Sequence, residues 1–172
     1  MEFSEERPPR PPLTLAWAKQ ALTGRIAIPS GRPTGLLGYT AGSHYGSPDE
    51  VFEIRVQYPD VTVATLRHPT VNRPGATPEE LIADVMSQVE QPPDDITGDT
   101  IEAWLASQRS RPGPVVEPCP EPLLIADEPY ACVRMLPRDG MAARLAVLDG
   151  EGLAVVVAGR TADVTAVALT WA

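Results

Sequence analysis

Hydrophobic residues recur along this chain with two different periods, and the periods separate its helices from its strands. Across VFEIRVQY (51–58), Phe52, Ile54, Val56 and Tyr58 alternate with Glu53, Arg55 and Gln57, the period-two pattern of a half-buried strand. Pro59-Asp60 turns the chain and VTVATLR (61–67) returns. This predicts a hairpin with one face on a core and one in water. Ile26–Ile28 and Leu36–Thr40 are shorter strand candidates on either side of the turn GRPTG.

Helical spacing appears in three places. Thr14 is placed to cap a helix reaching about Thr23, with Gly24 as its stop and Leu15, Ala18 and Leu22 on one face. Thr77, Pro78 and Glu80 form a capping box ahead of the stripe Leu81, Ile82, Val85, Met86 and Val89. Asp99 and Glu102 repeat that logic for a third helix, with Ile101, Trp104 and Leu105 expected to face inward.

After the proline-rich bridge RPGPVVEPCPEP, four runs of strand character follow: YACVRML, MAARLAVL, GLAVVVAG and DVTAVALTW. Short turn sequences join them, PRDG at 137–140, DGEG at 149–152 and GRTAD at 159–163. Short connections favour antiparallel neighbours, so a four-stranded meander is expected. GLAVVVAG is apolar at both parities and reads as a central strand covered on both faces. Helices and strands are segregated along the chain, which predicts an α+β fold. Its antiparallel or mixed sheet would combine the N-terminal hairpin and the C-terminal meander, with about three helices mainly on one face.

Composition sets the scale. The 172 residues suit one domain, expected over 13–172, large enough to bury a core without metal or disulfide. Pro8, Pro9, Pro11 and Pro12 mark residues 1–12 as a disordered, extended leader. That leader has no apolar stretch of the signal-peptide kind, and the longest apolar run, Leu153–Ala158, is too short to span a bilayer. A cytoplasmic location is therefore expected, with Cys119 and Cys132 as free thiols, the first in a loop and the second buried in a strand. The net charge of −9 disfavours nucleic acid and anionic membranes, both of which call for clustered basic residues.

Candidate chemistry is sparse. His44, His68, Cys119 and Cys132 are far apart in sequence and show no metal-ligand spacing, so neither a metal nor a cofactor is expected. GRPTGLLG lacks the Lys-Ser/Thr of a phosphate loop. Ser43-His44 fails as a dyad, because adjacent residues of an extended segment point to opposite sides. The acidic stretch DDITGDTIE is out of register for a calcium loop and reads as helix capping beside a solvated surface.

The expectation is thus a non-catalytic, acidic protein-interaction module, an accessory, inhibitor or immunity-type protein whose partner is another protein. The alternative is a small-molecule-binding domain or small enzyme with a pocket near residues 39–45. There Tyr39, His44, Tyr45 and His68 would line the site, and a histidine would serve as general acid or base. A third reading is an assembly subunit that forms homo-oligomers through an edge strand, with the terminal VTAVALTWA as the candidate edge.

Overall fold

The computed structural model describes residues 14–22, 24–42, 50–67, 77–89, 100–104, 106, 113–148 and 152–172. In chain order the elements are α1 (Leu15–Leu22), β1 (Ala27–Pro29), β2 (Leu36–Gly42), β3 (Glu50–Gln57), β4 (Val61–Arg67) and α2 (Pro78–Val89). Then come a helical segment, α3, at residues 100–104, and β5 (Val116–Pro118), β6 (Leu123–Ile125) and β7 (Glu128–Tyr130). The last elements are β8 (Cys132–Arg138), β9 (Met141–Leu148), β10 (Leu153–Arg160), α4 (Thr161–Ala166) and β11 (Leu169–Trp171). The class is α+β.

The strands form two sheets. Seven antiparallel strands make the larger, in the order β2-β3-β4-β10-β9-β8-β5. The smaller, β1-β11-β6-β7, is antiparallel except for the parallel β11–β6 pair. The N-terminal hairpin and the C-terminal meander therefore join edge to edge through β4 and β10, from Leu153↔Arg67 to Gly159↔Val61.

Strand β10 sits at the centre, and its sequence explains why. Leu153, Val155 and Val157 point into one apolar cluster, with Ala18 and Leu22 of α1, Ile26, Leu123 and Leu169. Ala154, Val156 and Ala158 point into another, against Leu81, Ile82, Val85 and Met86 of α2. Alternation within one continuously apolar strand thus supplies both cores. Each buried valine side chain contributes roughly 1.5–3 kcal/mol of transfer free energy.

Local signals hold at the helix ends. The Thr14 hydroxyl accepts from the Trp17 N–H at 3.1 Å, and Gly24 (φ 95°) closes α1 by donating to the Lys19 carbonyl at 2.7 Å. At α2, the Thr77 hydroxyl accepts from the Glu80 N–H at 3.3 Å. Among the described residues, no helix is long and apolar enough to cross a membrane.

Five expectations change. The fourth run does not extend the meander, because the second edge of β10 is already occupied by β4. Residues Thr161–Ala166 wind into α4 instead, anchored where the Thr161 N–H and hydroxyl both donate to the Gly140 carbonyl (3.0 and 3.1 Å). What remains of that run, β11, lies between β1 and β6, so the C-terminal strand is interior and not an edge.

The helices divide between the two faces, α1 and α4 contributing to the first cluster and α2 to the second. The hairpin also lacks a fully wet face. Residues Val61–Leu66 are all buried, and Glu53 is only 4% exposed, its carboxylate 3.8 Å from the Arg55 guanidinium. Ile101, expected inward, is exposed. The leader and the acidic stretch 94–99 lie outside the described residues.

Candidate functional site

At the β5 end of the large sheet, the chain runs from β5 through Cys119 and crosses into β6. Backbone pairing sets the geometry there. Pro118 is opposite Val133, and one residue further on the Cys119 N–H donates to the Cys132 carbonyl at 3.0 Å. On the neighbouring strand, Ala142, Ala146 and Leu148 face the first apolar cluster, and Arg144 shares their parity. An arginine has been set into an otherwise apolar face.

That guanidinium is fastened at one end. Its Nη2 donates to the carbonyls of Glu121 (2.9 Å) and Pro122 (3.2 Å), and lies 3.7 Å from the Cys119 sulfur and 3.6 Å from that of Cys132. Its Nε is buried and has no hydrogen-bond partner among the described residues. No carboxylate among them pairs with it. The two sulfurs are therefore the ionisable groups that contact this charge.

The thiols respond in opposite directions. Burial opposes ionisation of Cys119, but the Glu121 backbone N–H, the Cys132 thiol and Arg144 outweigh it and hold Cys119 below the ordinary thiol value. Burial pushes the Cys132 thiol up, against the pull of Arg144, and proximity to Cys119 adds to the rise. Cys132 is 8% exposed and its S–H reaches the Glu121 carbonyl at 3.4 Å, whereas Cys119 is half-buried. Both are free thiols, with Cys132 in a strand as the sequence implied.

Cys119 and Arg144 line a cavity of about 260 Å³ that Glu117, Arg134, Thr161 and Thr165 also border. Its apolar wall comes from Met135, Leu136, Pro137, Ala142 and Val164. The Arg134 guanidinium meets the Glu117 carboxylate at 2.7 Å across the rim, a partly exposed pair that orders the mouth more than it stabilises the fold. Beyond the same stretch of β8 lies a second, shallower groove of about 200 Å³, bordered by Pro114, Val115, Met135, Leu136 and Pro137. Val115 is 62% exposed and Leu136 39%.

The residues named from sequence fall elsewhere. Tyr39 is in β2, half-buried, with its ring edge-on to Trp17 of α1 at 5.1 Å, so it packs α1 onto the sheet. His44, Tyr45 and His68 lie outside the described residues. Sequence reasoning did not bring Cys119, Cys132 and Arg144 together. The available signal was a charged residue at an inward position of MAARLAVL, which requires a partner once the strand is buried.

Among the described residues, no group of three His, Cys, Asp or Glu could hold a metal ion. No family model matches the chain, and no curated protein or solved structure matches it either.

Proposed function

We propose that this chain is a cytoplasmic, non-catalytic protein-interaction module of the accessory, inhibitor or immunity type, which engages its partner at the β5 end of the large sheet. The observation that carries the reading is the exposure of Val115 and Leu136 beside an apolar groove. Large apolar side chains rimming a groove gain by being covered. Strand β5 is three residues long and contains Pro118, so the edge is blunted against indiscriminate strand pairing. Specificity then rests on side chains, with an apolar anchor of the partner seated between Val115 and Leu136. The net charge of −9 favours a basic partner through long-range steering.

Cross-linking in an extract of the native host, followed by peptide mapping, tests this. A partner should cross-link to residues 113–117 or 134–138 and be lost in Leu136→Asp. It should be retained in Leu36→Asp, which alters a 71% exposed leucine on the opposite edge strand. Equal capture by both variants would sink the reading. A wild-type chain cross-linked only to itself would point to the assembly role instead.

One observation favours a second reading, a small-molecule-binding domain. The Arg144 guanidinium pairs with no carboxylate among the described residues and its side chain lines a 260 Å³ cavity, where a small acidic ligand would supply the counter-charge. Carboxylate metabolites screened by thermal shift should then raise the melting temperature of the wild type and leave Arg144→Gln unmoved.

A further inference from the structure

We propose that Cys119 and Cys132 form a reversible dithiol–disulfide pair, with Cys119 as the attacking thiolate and Cys132 as the resolving thiol, and that the oxidant is a low-molecular-weight disulfide. The backbone sets the spacing. The two residues face each other across an antiparallel pairing in which the Cys119 N–H bonds the Cys132 carbonyl. Hydrogen-bonded antiparallel pairs hold their Cα atoms about 5.5 Å apart, inside the span of roughly 4.4–6.8 Å that a disulfide bridges. The shared Nη2 of Arg144, 3.7 and 3.6 Å from the two sulfurs, places both on the same side of that ribbon.

The roles follow from access and from charge. Cys119 borders the cavity, where a small disulfide can approach its sulfur, whereas Cys132 is buried behind it. Arg144 stabilises a thiolate at Cys119, and the lowered thiol value there agrees with that geometry. Cys132 keeps its proton until a mixed disulfide has formed beside it.

Chemically, the Cys119 thiolate attacks one sulfur of R–S–S–R. The S–S bond breaks, a Cys119–S–S–R mixed disulfide forms and one RS⁻ leaves. Cys132 then loses its proton and attacks the Cys119 sulfur, expelling the second RS⁻. Two protein thiols are oxidised, one small disulfide is reduced to two thiols, and the two thiol protons end on those products. The internal bond closes the loop that carries β6 and β7, fixing the wall shared by the cavity and the Cys119 turn. The step does not depend on what occupies either groove.

The test uses the full reduced chain and oxidised glutathione, with acid quenching and mass spectrometry. The wild type should lose the mass of two hydrogens, retain no glutathione and yield a Cys119–Cys132 linked peptide that dithiothreitol releases. Cys132→Ser should accumulate a glutathione adduct at Cys119. Cys119→Ser should react at Cys132 more slowly than that by about tenfold or more.

Wild-type protein that stops at a glutathione adduct, or equal rates in the two serine variants, would overturn the proposal. If circular dichroism shows either variant unfolded, the wild-type peptide map decides alone. The linked peptide supports the pair, and its absence at equilibrium with excess oxidised glutathione refutes it.

Discussion

The backbone N–H of Ala27 donates to the hydroxyl of Thr65 across 2.9 Å, in the buried seam where the small sheet meets the large one. Strand β1 is an edge of the small sheet. Ile26 and Ser30 bond towards β11 through the Ala172 N–H and the Ala168 carbonyl, so the Ala27 N–H points away from that partner. Thr65, on β4, supplies the acceptor that strand pairing does not. One hydroxyl therefore couples the two layers and removes the penalty of an orphaned donor.

Replacing it isolates that contribution. Thr65→Val keeps the shape but leaves the Ala27 N–H buried without an acceptor, a loss of about 1–3 kcal/mol. Thr65→Ser retains the oxygen and should recover part of it. Urea unfolding of the three proteins measures the difference, and equal midpoints for wild type and Thr65→Val would show that the seam is held by packing alone.

Gly159 terminates the apolar stretch of β10 against the turn that begins β4. A Cβ there would stand 2.5 Å from the Asp60 carbonyl oxygen and 3.3 Å from the Val61 Cα, both backbone atoms that cannot swing aside. Gly159→Ala should therefore push β10 off β4 and cost roughly 1–3 kcal/mol or more. Gly113→Ala meets nothing within 4 Å and should stay within about 0.5 kcal/mol of wild type. Thermal melts of the pair decide whether β10–β4 is packed this closely. A Gly159→Ala protein as stable as Gly113→Ala would contradict the contact.

Arg32, between β1 and β2, grips the β3–β4 turn by a two-pronged bond to Asp60 (2.7 and 2.8 Å), with its guanidinium carbon 4.6 Å from the centre of the Tyr58 ring. The hydrogen bonds from Arg32 hold the Asp60 carboxyl below its ordinary value of 3.8. A carboxylate depressed in the folded state stabilises above its unfolded value, and that contribution is lost as the pH falls from there through the lower folded-state value. Asp60→Asn should thus be less stable than wild type at neutral pH, with the gap closing below pH 3.8. Both side chains are about a third exposed (35 and 38%), so salt should also narrow it. A gap that ignores both pH and salt would assign the bond a purely steric role.

The parts of the fold that were legible in the sequence are those whose signal is local. Thr14 and Gly24 bracket α1, Thr77 starts α2, and the apolar parity of GLAVVVAG foretells a strand covered twice. Within the small sheet, β1 and β11 fall in the expected runs Ile26–Ile28 and DVTAVALTW, but the β6–β7 hairpin was not legible. Its strands are three residues long, too short for a period to register, and Pro129 interrupts β7. The β6–β7 turn is built on Ala126 and Asp127 at positive φ, without the glycine that advertises such turns. The thiol–arginine site depends on the β5–β8 and β8–β9 pairings of the large sheet, which bring Cys119 beside Cys132 and Arg144 through strand register and not through sequence spacing.

Arg144 should control the reactivity of Cys119 through charge. Among the described residues, the groups around that sulfur are Cys132, Glu117, Glu121, Arg134 and Arg144, and of these only Arg144 places a cationic nitrogen within 3.7 Å of it. Bimane alkylation against pH, in a Cys132→Ser background that keeps a hydroxyl donor, reads the thiolate fraction directly. Its midpoint should lie below the ordinary thiol value of 9.0. Arg144→Gln removes the positive charge, so the midpoint should move up and the rate at neutral pH should fall. Arg144→Lys should restore part of the shift, since a point charge serves a thiolate even where the planar fork is lost. A midpoint that stays in place in Arg144→Gln would leave the Glu121 N–H and the Cys132-side donor as the groups that hold the thiolate, and would remove Arg144 from the chemistry of the site.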